Sequence, residues 1–223
     1  MRQSFLDEEL EKTTDNYKIV RERWRKIYLD LDHKMLEQRF SLRCEEDAHY
    51  IIYYNEEYRL DKRTGMLTLV KDPERELSFS TVMTIYHLFY YSKPGAKVSG
   101  VDVPFRQVKR AAPFEKAFIR TILEPMAKAF DGHTEELRQA CQALNGQPIR
   151  QGDVGYRIPA FDCMPLTIVF WDGDEEFPAQ ANILFDADIT DFLHEETVVC
   201  VASDLFRRLV EESGLQNVQR LMK

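Results

Sequence analysis

The strand-forming stretches of this 223-residue chain fall into two blocks, near 48–70 and near 156–171, and a helical middle separates them. Neighbouring elements tend to pack together, so this order predicts an α+β fold: an antiparallel or mixed sheet packed by about five helices. The first block is the sharper. Ala48 to Tyr54 is dense in Ile and Tyr, which suit a pleated surface. Tyr58-Arg59-Leu60 and Met66 to Val70 flank Asp61-Lys62-Arg63-Thr64-Gly65, where Gly65 can supply the positive φ of a tight hairpin. In the second block a turn at Asp162-Cys163-Met164-Pro165 joins Tyr156–Phe161 to Leu166–Trp171. Ala181–Phe185 is too short for periodicity to choose between strand and helical turn.

Apolar residues recurring every three or four positions mark the helices. Tyr17, Val20, Trp24, Ile27, Tyr28, Leu31 and Met35 predict a helix over 15–35, with Asp15 near its positive end. A second helix is expected over 79–91, capped by Ser80. A third over 113–130 contains Pro125, which must kink or divide it because proline lacks an N–H. A fourth starts at Thr134 and stops at Gly146, and the last, over 197–212, closes at Ser213-Gly214. The expected organisation is an N-terminal extension (1–14), one compact domain (15–212, with lobes 15–110 and 111–212 as the alternative) and a C-terminal tail (213–223).

Charge and cysteine usage narrow the function classes. Lys and Arg number 30 against 38 Asp and Glu, a net charge of −8. Such a surface repels a phosphate backbone, so nucleic-acid binding is disfavoured and would need a local basic group such as Arg106, Lys109 and Arg110. Cys44, Cys141, Cys163 and Cys200 stand singly, without zinc-knuckle or CxxC spacing, and read as reduced, mostly buried thiols of a cytoplasmic protein. The N-terminus has no apolar leader, and no apolar run has the length of a membrane span. There is no P-loop, no GxGxxG, no HExxH and no GxSxG elbow. A homodimer is the general expectation for a soluble chain.

The chemically distinctive stretch follows Trp171. It reads Asp172-Gly173-Asp174-Glu175-Glu176-Phe177-Pro178, then Asp186, Asp188 and Asp191, with Glu195 and Glu196 beyond. Hard cations want oxygen ligands, so Asp174, Glu175, Glu176, Asp186 and Asp188 are candidate ligands for Mg²⁺ or Ca²⁺, or the setting for a general acid. The spacing does not fit a calcium loop: counted from Asp186, Asp191 falls where the turn glycine belongs and Thr197 where the bidentate glutamate belongs. Burial of Trp171, Phe177 and Phe185 is expected to anchor the loop, with Pro178 stiffening it. His194, beside Asp191, Glu195 and Glu196, reads as the start of a helix, and His87 as a packing residue. Tyr50, Tyr53, Tyr54 and Tyr58 read as a sheet surface covered by the first helix.

The run Trp171 to Ala179 followed by Ile183-Leu184-Phe185-Asp186 resembles the family known as domain of unknown function 3786. Ser99-Gly100, Phe105-Arg106, Phe114 to Phe118, Leu144-Asn145-Gly146 and Gly152-Asp153 extend the likeness over about residues 15–212. Family members often read Leu-Gly-Gly where this chain has Leu144-Asn145-Gly146, a mild change because asparagine tolerates left-handed backbone. They often read Trp-Val near Gly100, where this chain has Val101-Asp102. The resemblance implies an anaerobic, redox-associated setting, since some relatives look like fusions to iron–sulfur segments. This chain lacks clustered cysteines, so a redox or iron–sulfur partner protein would have to carry any cluster.

Two functional readings follow. The first is a cytoplasmic accessory or protein-interaction domain without a tightly bound cofactor. The alternative is a divalent-metal-dependent enzyme or ligand-binding protein using the 172–191 carboxylates.

Overall fold

The computed structural model describes residues 2–40 and 42–215, with side chains from residue 16 onward. The fold is α+β, built on two antiparallel sheets rather than one, and the mixed alternative drops out. Helix α1 spans Arg2–Leu29 and α2 His33–Phe40. The single helix expected over 15–35 is therefore two. Asp32 is the reason: its Oδ1 accepts from the Met35 amide at 3.1 Å, the bond an N-cap makes, and this starts a new helix. Asp15 lies inside α1, not at its start.

The first sheet is the expected meander, β1 (Arg43–Cys44), β2 (Ala48–Tyr53), β3 (Glu56–Asp61) and β4 (Leu67–Leu69), in that order. Tyr54 and Asn55 turn β2 into β3 with φ of 46° and 59°, the left-handed pair that matches strand twist. Asp61 gathers the next turn by accepting from the Arg63 and Thr64 amides and the Thr64 hydroxyl. Gly65 has φ +72°, and a Cβ there would lie 2.8 Å from the Arg25 carbonyl oxygen, so the glycine also lets α1 settle on this turn.

Helix α3 (Phe79–Tyr91) is capped by Ser78, which accepts from the Thr81 amide at 3.0 Å. Ser80, the expected cap, lies within the helix and donates its hydroxyl to the Cys200 carbonyl. The helical middle comprises α4 (Glu115–Phe118), a π turn (Ile119–Leu123), α5 (Glu124–Phe130) and α6 (Thr134–Ala143). Pro125 divides the segment as expected: the Glu124 N–H reaches back five residues to Ile119, a wide turn next to the residue that has no N–H. His133, not Thr134, holds the N-cap position of α6. The left-handed stop after α6 is Asn145 (φ 59°), one residue before Gly146.

The second sheet has the order β5-β9-β8-β7-β6. Its strands are β5 (Asp102–Pro104), β6 (Gln147–Pro148), β7 (Val154–Phe161), β8 (Met164–Trp171) and β9 (Gln180–Asp186). The ambiguous Ala181–Phe185 stretch is thus a strand. The β7–β8 turn is shorter than the sequence suggests, because Met164 and Pro165 already pair with Phe161 and Pro159. Helix α7 (Glu195–Ser213) starts at His194 and ends at left-handed Gly214 (φ +70°). Of the expected tail, residues 216–223 lie outside the described part.

One cluster of buried side chains runs from Tyr28 to Val210. The Tyr54 amide donates to the Ala160 carbonyl at 2.9 Å and joins the two sheets. The Tyr53 ring stacks on Phe161 at 4.5 Å. The Tyr53 and Tyr54 hydroxyls donate to Asp204 Oδ2 and the Val201 carbonyl, both at 2.9 Å. The tyrosine surface expected beneath the first helix is therefore covered in large part by α7 and β7. Among the described residues no helix is long and apolar enough to cross a membrane.

Candidate binding groove

The structure does not bring the five candidate carboxylates together. Asp174, Glu175 and Glu176 sit in the loop after β8, whereas Asp186 ends β9 and Asp188 lies just beyond it. A seven-residue strand at about 3.3 Å per residue separates the two groups by roughly 20 Å. Asp174 is a turn residue whose Oδ1 accepts from the Glu176 and Phe177 amides at 2.8 and 2.7 Å. Those amides hold its carboxyl below the usual range. Glu175, Glu176 and Asp188 are exposed.

Asp186 is buried and fully engaged. Oδ1 accepts from the Ser99 amide and hydroxyl and from the Asp188 amide, and Oδ2 accepts from the Gly100 amide at 2.7 Å. Burial pushes this carboxyl up, but the Ser99, Asp188 and Gly100 amides outweigh it and hold the group below its ordinary value. Two of the segments that carry the family resemblance, Ser99-Gly100 and Phe185-Asp186, are thus one clasp. The expected aromatic anchoring is also corrected. Phe185 is buried, but Trp171 is 41% exposed and Phe177 62% exposed. His194 is a helix-start residue as expected, its Nδ1 accepting from the Glu196 amide.

What these segments build instead is a groove of about 580 Å³ at the β8–β9 hairpin end. Phe105 and Phe118, stacked at 4.1 Å, form its floor, with Phe185 edge-on behind both. Ile119 and Leu123 of the π turn form one wall, and Trp171 and Gln180 the other. Arg106, Glu115 and Glu124 supply the charge around it. The groove follows the outer edge of β9. Strand β5 pairs only with Leu184 to Asp186, so among the described residues no strand lies along Gln180–Asn182 on that side. The Ala187 amide donates across to Val101, on the β5 side. Alternation along an antiparallel strand then turns the N–H and C=O of Ala181 to that same side, where the groove lies.

Helical periodicity puts Ile119 and Leu123 beside the stripe of Phe114, Phe118 and Ile122 and so predicts their burial, but Ile119 is exposed and Leu123 half-buried, whereas Trp171 does end a strand as expected. What periodicity cannot show is that β5 stops short and leaves this part of the stripe uncovered. The available signal is the resemblance itself, since Phe105-Arg106, Phe118 and Trp171 come from three separate segments that carry it. Among the described residues, one set of three acidic, histidine or cysteine side chains has ligand atoms all within 4.8 Å of one another. It consists of Glu37, Cys44 and His49, remote in sequence from the 172–191 carboxylates.

The fold and groove define an α+β protein of two antiparallel sheets with an open strand edge beside an aromatic-floored concavity. A family model described as domain of unknown function (DUF3786) matches residues 32–208, and the chain belongs to that family. No curated protein and no solved structure matches the chain.

Proposed function

We propose that this protein is an interaction module that takes an extended segment of a partner protein along the outer edge of β9. The observation that carries the reading is the unpaired edge at Gln180–Asn182, opening onto a groove with Trp171 exposed beside it. Backbone bonds to such an edge supply affinity, and side-chain pockets read alternate residues of the added strand. The floor of Phe105 and Phe118 suits apolar side chains, and Glu115 and Glu124 against Arg106 leave the surroundings net acidic. The family resemblance extends the proposal to a cytoplasmic redox or iron–sulfur protein as the partner. The 172–191 carboxylates do not favour the metal-enzyme alternative, because their two groups lie at opposite ends of β9.

The test is a selection from a library of displayed extended peptides, followed by calorimetry and hydrogen exchange on the best binder. The Ala181 amide is expected to gain protection. Ala181→Pro, which removes that donor without touching the β8 ladder, and Trp171→Ala are each expected to weaken binding about tenfold or more. A selected peptide whose affinity survives both substitutions would overturn the reading.

A further inference from the structure

Glu37, Cys44 and His49 come from three elements that meet at the β1–β2 edge of the first sheet. Cys44 and His49 are direct partners in the β1–β2 register, and directly opposite residues of an antiparallel pair share a face. Helix α2 lays Glu37 over that face, its Oε1 3.0 Å from His49 Nε2. The His49 ring is fully buried, and its Nδ1 is 2.8 Å from the Tyr28 hydroxyl. The imidazole is therefore fixed in orientation from behind, as ligating histidines are. Cys44 is the exposed member of the four cysteines, which corrects the expectation of a mostly buried set.

We propose that Glu37, Cys44 and His49 form a binding site for a thiophilic divalent transition metal of the zinc class. The site is separate from the β9 groove and stands or falls independently of it. The donor set decides the class of metal. A thiolate and an imidazole with one carboxylate suit zinc, and they disfavour Mg²⁺ and Ca²⁺, which want oxygen alone. Three protein ligands leave a fourth tetrahedral position for water or a small ligand. The proton count closes. Binding releases the Cys44 thiol proton to solvent. The Tyr28 hydroxyl turns from donor to acceptor, so the imidazole proton resides on Nδ1 and Nε2 is free for the metal. Thiolate and carboxylate then balance the two charges of the ion. Among the described residues, the lysine or arginine ion-paired with that carboxylate is Lys62, whose Nζ is 2.9 Å from Glu37 Oε1. His33 lies nearby, with its ring stacked on Tyr28 and its Nε2 bonded to the Tyr28 carbonyl.

A purely structural role explains part of this arrangement. The hydrogen-bonded chain Tyr28–His49–Glu37–Lys62 fastens α1 and α2 to the sheet. The Cys44 thiol stands outside that chain and donates to the Leu42 carbonyl at 3.3 Å, yet its sulfur converges on the same imidazole and carboxylate, which the fastening role does not require.

The experiment uses the full-length reduced chain stripped of metal. Zn²⁺ is titrated against a chromophoric chelator, and Co²⁺ is followed by its visible bands and its sulfur-to-cobalt charge-transfer band. The expected result is one equivalent bound at sub-micromolar Kd with the charge-transfer band present. Cys44→Ser, at an exposed position that leaves the hydrogen-bonded chain intact, should abolish that band and weaken Zn²⁺ binding by about 100-fold. Glu37→Gln should weaken it by roughly tenfold, with circular dichroism confirming that both variants are folded. Zn²⁺ binding no tighter than about 100 μM in the parent chain, or a charge-transfer band that persists in Cys44→Ser, overturns the proposal.

Discussion

The side-chain amide of Asn145 donates to Oδ1 of Asn55 at 2.7 Å, and both residues hold the left-handed φ of 59°. Asn55 in turn donates to the Ala143 carbonyl at 2.8 Å, so the β2–β3 turn is tied to the end of α6. Glycine at either position keeps the backbone geometry and removes only the amide. Asn55→Gly and Asn145→Gly should each destabilise the protein by about 1 kcal/mol, and a double-mutant cycle in urea should return a coupling of roughly 0.5–1.5 kcal/mol. Additive effects would show that the bond contributes nothing.

Asp204 is almost fully buried and accepts from the Tyr53 and Thr81 hydroxyls, with Arg207 at 3.4 Å. Asp204→Ala should cost about 2–3 kcal/mol, because it leaves the buried Tyr53 and Thr81 hydroxyls without their acceptor and Arg207 with Glu211 alone. Asp204→Asn, which keeps the acceptor, should cost clearly less. Denaturant midpoints of the two variants decide it.

The imidazole of His87 packs at 4.2 Å against Trp24 and holds Thr197 Oγ1 at 2.6 Å. Its Nε2 is buried and has no hydrogen-bond partner among the described residues. Burial, with His194 nearby, pulls its pKa down to about 4. Above the unfolded-state value near 6.5, both states are neutral and His87 adds no pH dependence. As pH falls from about 6.5 towards 4, the unfolded chain takes up a proton that the folded one refuses, and stability drops by on the order of 2–3 kcal/mol. The gap between urea midpoints at about pH 7 and pH 4.5 should shrink in His87→Gln. An unchanged gap would assign the acid sensitivity elsewhere.

Trp171 and Phe185 belong to one sequence run but have opposite surroundings. Phe185→Ala empties the space against Phe105 and Phe118 and should cost about 3–5 kcal/mol. Trp171→Ala should change stability by less than about 1 kcal/mol, since its ring is largely outside. Thermal melts separate the two, and equal losses would contradict the exposure of Trp171.

The parts of the fold legible in the sequence are those fixed by local chemistry. Gly65, Pro125 and Gly214 each do what their backbone limits dictate. The misread points are those where two candidates compete within a few residues: Ser78 over Ser80, His133 over Thr134, and a cap at Asp32 interrupting a stripe that Leu31 and Met35 continue in spacing. Acids that follow one another in the sequence look adjacent in space, yet an extended β9 carries the two halves of the acid-rich run apart. Glu37, Cys44 and His49 obey no helical or strand period, because three elements contribute one residue each. The groove depends on where β5 ends, which is settled by Phe105 leaving the strand to meet Phe118.

The amide of Tyr54 and the carbonyl of Ala160 stand 106 positions apart in the chain, and α7 closes over the same spot later still. A nascent chain therefore completes its first meander long before anything emerges to cover the phenols of Tyr53 and Tyr54. Products truncated ahead of β7 would display those rings bare, so proteolytic fragments or stalled ribosomes should yield sticky, chaperone-dependent species rather than a free-standing amino-terminal half.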